Sequence, residues 1–127
     1  MTFTVLLFAS RKKGLAPAQF KDYLENTHIP LLKQTFGPLF PISHTRRYLD
    51  RANEEPYDAT VLVGTQDQFT YDVVSELVFA EKADFEAFFA KYKDPEVAPI
   101  IQEDEKDFLD ASNMTAVILG KTCTTTQ

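Results

Sequence analysis

Two successive strand–helix–strand patterns constrain the fold of this 127-residue chain more than any other feature. Each predicted strand is a short run of bulky or alternating apolar residues, and each helix repeats apolar residues at three- and four-residue spacing. The predicted strands are residues 2–9, 42–49, 71–80 and 114–119, and the predicted helices run from 15 to about 35 and from 81 to Asp94-Pro95. A further helical turn or two is expected within residues 99–110.

This order predicts an α+β chain with the ferredoxin-like, split β-α-β topology, in which an antiparallel sheet carries both helices on one face. Several strands are apolar on both sides, so the face without helices also needs cover. A second copy of the sheet is the economical solution, and we expect a homodimer that forms a dimeric α+β barrel. We expect residues 1–127 to be a single domain, with residues 121–127 as a frayed tail.

Residues 50–67 are an insertion between the second and third strands. Val61-Leu62-Val63 within it fits either a short strand or part of an excursion, and the pattern does not decide between them.

The charge and cysteine content exclude several classes of protein. A net charge of −6 and a pI of about 4.8 argue against nucleic acid and against an anionic membrane surface as partners. The single cysteine, Cys123, leaves no disulfide framework and favours a reducing, cytoplasmic location. The N-terminal apolar run lacks the basic segment that precedes it in a signal peptide, and no run approaches the ~20 residues of a membrane span.

The first helix carries the strongest candidate for chemistry. Its apolar face includes Phe20, Tyr23 and His28, and Pro30 follows the histidine closely. Proline has no N–H to donate to the Asn26 carbonyl, so the helix is expected to kink or loosen there. An imidazole on a buried face beside a loosened turn is suited to proton transfer, although it is equally suited to packing against that turn.

Other polar and aromatic side chains are candidates by their position on strands or helices. His44 lies near the start of the second strand, and both histidines of the chain could reach one pocket between helix and sheet. Tyr23 is a further catalytic candidate, while Tyr48, Asp72, Phe20 and Phe88 are candidates for substrate binding. Asp72 or Glu76 could orient an imidazole, or instead pair with Arg46 or Arg47. Each of these residues could also be purely structural.

Other kinds of site lack support in the sequence. No Cys/His cluster has zinc-ligand spacing, and neither a glycine-rich phosphate loop nor a G-x-S-x-G motif is present. Two histidines with carboxylates could hold a metal, but nothing in their spacing requires one. We therefore expect no metal and no cofactor.

The residues from the first turn through the first helix resemble the EthD domain family. Arg11-Lys12-Lys13-Gly14-Leu15 is followed by the pattern F-x-x-Y-x-x-x-x-H-x-P, which begins at Phe20 and ends at Pro30. Residues 71–79 are similar to the family's third strand, and Phe108-Leu109-Asp110 stands before the last strand. The resemblance covers most of the chain except residues 50–67, and it implies a dimeric α+β barrel.

Within that family, the chain is most similar to fungal decarboxylases of the atrochrysone carboxylic acid type, from aromatic polyketide clusters. The resemblance therefore implies a lyase of secondary metabolism that removes carbon dioxide from an aromatic polyketide β-keto acid without a cofactor. It also leaves open a cyclase, a dehydratase, an anthrone oxygenase or a non-catalytic, polyketide-binding dimer. The sequence does not name the substrate or say which histidine is acid or base.

Overall fold

The computed structural model describes residues 2–127 and shows one four-stranded antiparallel sheet with helices on one face. The strands are β1 (Phe3–Ala9), β2 (Ser43–Tyr48), β3 (Val73–Phe79) and β4 (Thr115–Ile118), and the helices are α1 (Pro17–Tyr23), α2 (Ile29–Phe36), α3 (Lys82–Tyr92) and α4 (Ala98–Glu105). The strand order is β2-β3-β1-β4. This is the predicted ferredoxin-like topology, which is confirmed, including the helical turns after residue 98.

Strand register separates the residues of the two sheet faces. Val5 pairs with Leu77 and Ile118, and Leu7 pairs with Ser75 and Ala116. Directly paired residues share a face, and all six line the space beneath the helices. The alternate residues of β1 and β3 point to the side that carries no helix, which we call the open face; they are Leu6, Phe8, Val74 and Val78, with the polar Thr4 and Glu76 among them. The prediction of strands that are apolar on both sides is thus confirmed.

The first helix is interrupted where Pro30 was expected to disturb it. Leu24–His28 form a π turn between α1 and α2, in which the Ile29 N–H donates to the Leu24 carbonyl five residues earlier. The chain resumes α-helical bonding at Ile29, with Pro30 in the first turn of α2. His28 is therefore the last residue of a widened turn.

The insertion between β2 and β3 is an excursion and not a strand of the sheet. A bridge joins Arg51 to Ala59, and the Thr60 N–H donates to the Asp50 carbonyl at 3.0 Å. Leu62 and Val63 lie beyond this small hairpin and are 94% and 86% exposed. The alternative left open by the sequence is resolved in favour of the excursion.

Two groups of buried side chains hold the helices on the sheet. Phe20 and Phe108 are each 1% exposed, and their ring centroids lie 5.7 Å apart. Phe36 is fully buried and packs on Phe88 with centroids 4.4 Å apart. Within residues 2–127, no helix has the length and apolarity needed to cross a membrane.

Candidate functional site

A cavity of about 720 Å³ lies between the sheet and the helices. Its volume falls in the range of small-molecule sites, roughly 300–1,000 Å³. The wall is mostly aliphatic and aromatic, and its members include Val5, Leu7, Leu24, Leu32, Val73, Leu77, Phe85, Phe88, Phe89, Ile101, Phe108 and Met114. Its ionisable members are His28, His44, Tyr92 and Glu105. Such a wall suits a flat apolar ligand that carries a few oxygens.

His28 reaches this cavity from the end of the π turn and is held by a carboxylate. Its Nδ1 lies 2.8 Å from Asp104 Oδ2, and the side chain packs against the Phe108 ring. Burial, which leaves the residue 5% exposed, lowers the pKa of His28, and Asp104 opposes this shift. In the neutral ring, Nδ1–H donates to Asp104 and Nε2 is left as the nitrogen available to a ligand. The arrangement can accept a proton at Nε2 and return it.

Tyr23 does not line the cavity, contrary to expectation. Its hydroxyl donates to Asp104 Oδ1 at 2.5 Å and lies 3.1 Å from Asp107 Oδ2. The hydrogen bond to Asp104 raises the pKa of Tyr23. Since both oxygens of Asp104 are engaged, one by Tyr23 and one by His28, the tyrosine positions the carboxylate that holds the imidazole.

His44 lines the same cavity from β2, as predicted for both histidines. Both ring nitrogens are buried and have no hydrogen-bond partner between residues 2 and 127. Burial, followed by the nearby Arg46 charge, lowers the pKa of His44 to about 4. The ring is therefore neutral near pH 7, with one N–H and one lone pair available to a ligand.

Tyr48 also lies outside the cavity wall, which corrects its expected place in the site. Its hydroxyl donates to Glu25, whose carboxylate also accepts from Arg46 Nε at 2.6 Å. The Arg46 bond lowers the pKa of Glu25, and burial raises the pKa of Tyr48. This network joins the π turn to β2, and its role in the structure is to fix those two elements together.

Of the other predicted contacts, only Phe88 lines the cavity. Phe20 is a core residue, because α1 turns it onto Phe108. Asp72 precedes β3, is 5% exposed, and forms ion pairs with Arg11 and with Arg51, whose Nε is 2.8 Å away. Direct substrate contact by Phe20 or Asp72 therefore has no support in the geometry.

The arginine pairing predicted for these strands is correct only for Glu76. That carboxylate pairs with Arg47 at 3.6 Å, whereas the partners of Asp72 lie outside β2.

Glu105 is a cavity residue that the sequence interpretation missed. It is 7% exposed, and burial followed by the Asp104 charge raises its pKa to about 7. Its helical spacing could have identified it, because Glu105 lies four residues after Ile101 and three before Phe108. Residues at this spacing share one face of a helix, so the Glu105 carboxyl group lies on the apolar side of an acidic stretch. In the described chain, no group of three or more His, Cys, Asp or Glu side chains is placed to hold a metal ion.

Solved structures similar to this one share its fold at low sequence identity. A protein of the ethyl tert-butyl ether D (EthD) family from Bacillus halodurans is 13% identical, with a TM-score of 0.56 and coverage of 96% of this chain and 100% of that one. A dimeric ferredoxin-like protein of unknown function from Thermobifida fusca is 13% identical, with a TM-score of 0.53 and coverage of 95% and 92%. A mutant of SnoaB, a cofactor-independent oxygenase from Streptomyces nogalater, is 15% identical, with a TM-score of 0.51 and coverage of 97% and 95%.

Comparison at the sequence level gives a family match. No curated protein sequence matches the chain. The family model described as EthD domain matches residues 12–112, which include the π turn, β2, β3 and α4.

Proposed function

The chain belongs to the EthD domain family, and from this membership and the cavity we propose that it is a cofactor-independent decarboxylase of an aromatic polyketide β-keto acid. The observation that carries the proposal is His28, whose ring is fixed through Nδ1 by Asp104 on the wall of a large apolar cavity. The resemblance to decarboxylases of the atrochrysone carboxylic acid type supplies the substrate class.

The cavity favours this reaction through its apolar wall. A β-keto acid loses carbon dioxide as its carboxylate charge moves to an enolate oxygen, so the charged group changes place during the reaction. A wall of aliphatic and aromatic side chains replaces the water that would stabilise the ground-state carboxylate. The protein then needs a proton carrier and a donor where the new charge develops.

His28 is the proton carrier in this mechanism. In the bound complex, one proton is shared between the substrate carboxyl group and His28 Nε2. As the carbon–carbon bond breaks, carbon dioxide leaves and the bonding electron pair forms the enolate. The imidazolium, stabilised by Asp104 at 2.8 Å, then returns its proton to the enolate carbon. The substrate gains the proton that its carboxyl group gave up.

His44 is the second polar group that the reaction uses. Its ring is neutral near pH 7 and lacks a protein partner for either nitrogen within residues 2–127. An N–H of this ring donates to an oxygen of the substrate, which also satisfies a buried group that is otherwise unpaired. The two histidines thus have different roles, with proton transfer assigned to His28 and orientation to His44.

A homodimer is part of the proposal. The open face presents Leu6, Phe8, Val74 and Val78 without a covering helix. Packing two such faces together gives the two-sheet barrel expected from the sequence, and a solved structure of similar fold is described as dimeric.

The experiment that tests the proposed reaction incubates the protein with a β-keto acid polyketide of the atrochrysone carboxylic acid type. Carbon dioxide and dissolved oxygen are followed together. Decarboxylation predicts carbon dioxide release without oxygen uptake. Oxygen uptake instead would favour an oxygenase, to which the fold likeness to SnoaB draws attention, and binding without turnover would favour a carrier of the polyketide.

A further inference from the structure

The cavity contains a carboxyl group for which the mechanism above has no use. Glu105 lines the cavity from α4 and is 7% exposed. Its side chain takes part in no hydrogen bond or ion pair with the described residues, although its neighbour Asp104 is engaged by both Tyr23 and His28. The largely apolar wall offers this carboxyl group no hydrogen-bond partner, and a ligand in the cavity can supply one.

We infer that Glu105 acts as an uncharged carboxylic acid that donates a hydrogen bond to a ketone or phenol oxygen of the ligand. The inference rests on the proposed function only for the shape of that ligand, a flat polycyclic aromatic. It adds a third polar contact to those of the two histidines.

The charges around Glu105 favour its protonated form. The ionisable groups that share the cavity with it are His28 from the π turn, His44 from β2 and Tyr92 from α3. None is a permanent cation, and no lysine or arginine lines the cavity within residues 2–127. The Asp104 charge on the same helix disfavours a second carboxylate, in agreement with the raised pKa of Glu105, which is about 7.

A neutral carboxylic acid is a suitable donor for charge that develops on a ketone oxygen. It brings a hydrogen to the oxygen without adding a negative charge to the cavity, and apolar surroundings keep it protonated near neutral pH. Because binding requires the proton, affinity for an oxygen acceptor falls as pH rises through the pKa of Glu105.

A pair of matched probes tests this dependence. Fluorenone and fluorene are flat three-ring molecules of nearly equal size, and only fluorenone carries a carbonyl oxygen. Neither ionises between about pH 6 and about pH 9. Burial lowers the pKa of both cavity histidines below its ordinary value. The ratio of their affinities, measured by fluorescence or calorimetry, is expected to favour fluorenone below pH 7. The ratio should fall as pH rises through about 7 and level off at the smaller preference that a His44 N–H can give.

Two substitutions assign the effect to one carboxyl group. Glu105→Gln keeps an N–H donor and removes the titration, so its preference for fluorenone should persist and become independent of pH. Glu103→Gln changes an exposed carboxylate of the same helix and should behave as wild type. A wild-type ratio that stays constant with pH, a Glu105→Gln ratio that still falls, or failure of both probes to bind would each overturn the inference.

A direct titration keeps the inference testable should Glu105→Gln not fold. Carbon-13 NMR of the wild-type carboxyl groups should show the pKa of Glu105 rising more when fluorenone binds than when fluorene binds, because only fluorenone accepts a hydrogen bond from the protonated acid. An unchanged pKa would contradict the inference. These readouts do not involve carbon dioxide, so they can fail while the decarboxylase proposal stands, and the reverse is also true.

Discussion

At the scale of single residues, the carboxylate of Asp104 determines what His28 can do. It accepts from Tyr23 through Oδ1 and faces His28 Nδ1 through Oδ2, so its position is fixed from two sides. This contact selects the tautomer that leaves Nε2 free, and it stabilises the imidazolium once Nε2 takes a proton.

Asp104→Asn should lower the decarboxylation rate by up to ~10²–10⁴-fold, the range expected for loss of the acid–base group itself, because the carboxylate that orients and stabilises His28 is removed. The amide keeps a similar shape but lacks the charge that stabilises the imidazolium. Asp107→Asn is the matched control, because Asp107 contacts Tyr23 at 3.1 Å and makes no contact with His28. Equal losses in the two variants, measured as kcat with thermal melts alongside, would argue against this role for Asp104.

The stability of the fold should depend on pH through Glu105. The pKa of Glu105 in the folded protein, about 7, lies above the ordinary value of 4.5. Its contribution to the free energy of unfolding is therefore fully present below pH 4.5 and is lost as pH rises through 7. This difference in pKa between the folded and unfolded states corresponds to ~3 kcal/mol of unfolding free energy. Glu105→Gln should therefore raise the free energy of unfolding near pH 7 and leave it nearly unchanged near pH 4.

Denaturant titrations at the two pH values check this expectation, with Glu103→Gln as the exposed control. An equal effect of Glu105→Gln at both pH values would mean that the carboxyl group is not protonated in the folded state at neutral pH.

The sequence pattern identifies some residues of the candidate site and not others. His28 and His44 could be selected because each stands alone at a recognisable position on a helix face or a strand. Asp104 could not, since 76 residues separate it from His28 and it stands in a run of three acidic residues, 103–105, with nothing in the pattern to single it out. Tyr23 was placed on the correct face, but only the α4 contact reveals that its hydroxyl points to a carboxylate and not to the cavity.

At the scale of elements, the π turn presents His28 to the cavity. A π turn holds an extra residue, so the side chains after it are rotated relative to those of a regular α-helix. Pro30 lies just beyond the turn and cannot donate to the Asn26 carbonyl, which removes one of the bonds that would favour regular α-helix there. The loosened turn was predictable from proline chemistry, whereas its π geometry depends on packing around it.

Pro30→Ala should restore the missing N–H and allow regular α-helical bonding through the turn. We expect turnover to fall by up to ~10²-fold, because small misplacements of a reacting group are costly. The melting temperature should not fall, because an interior proline is itself destabilising. Pro17→Ala is the control, since Pro17 begins α1, where a missing N–H would be unpaired anyway. Full activity in Pro30→Ala would show that the turn does not position His28.

At the scale of the whole molecule, the order of elements was predictable because hydrophobic periodicity reports directly which faces are buried. The strand order β2-β3-β1-β4 followed from the topology that this order implies. The excursion between β2 and β3 was one of two alternatives left open by the sequence pattern, and its conformation was not predictable. It is held by buried Arg51, which donates to the Phe69 and Tyr71 carbonyls and faces Asp72, contacts that leave no periodic signal.

The open face leads to a prediction about assembly. Leu6→Glu places a charge on that face opposite Val117 and Glu76, with no cation directly paired to it, and should convert the proposed dimer to a monomer of about 14.4 kDa in sedimentation. Ala90→Glu adds the same charge at an exposed position of α3 and should leave the dimer intact. A wild-type protein that sediments as a monomer at every concentration tested would contradict the barrel.

In the proposed reaction, His28 carries the proton of a decarboxylation that needs no cofactor. The most direct test measures labelled carbon dioxide from a carboxyl-labelled β-keto acid polyketide, in oxygen-free buffer with a chelator, for wild type and His28→Gln. Thermal melts and sedimentation confirm that the variant is folded and assembled as wild type. We expect stoichiometric carbon dioxide from wild type and a rate lower by ~10²–10⁴-fold in His28→Gln. A folded His28→Gln protein that retains most of the rate, or a wild type that releases no carbon dioxide above buffer, would contradict this proposal.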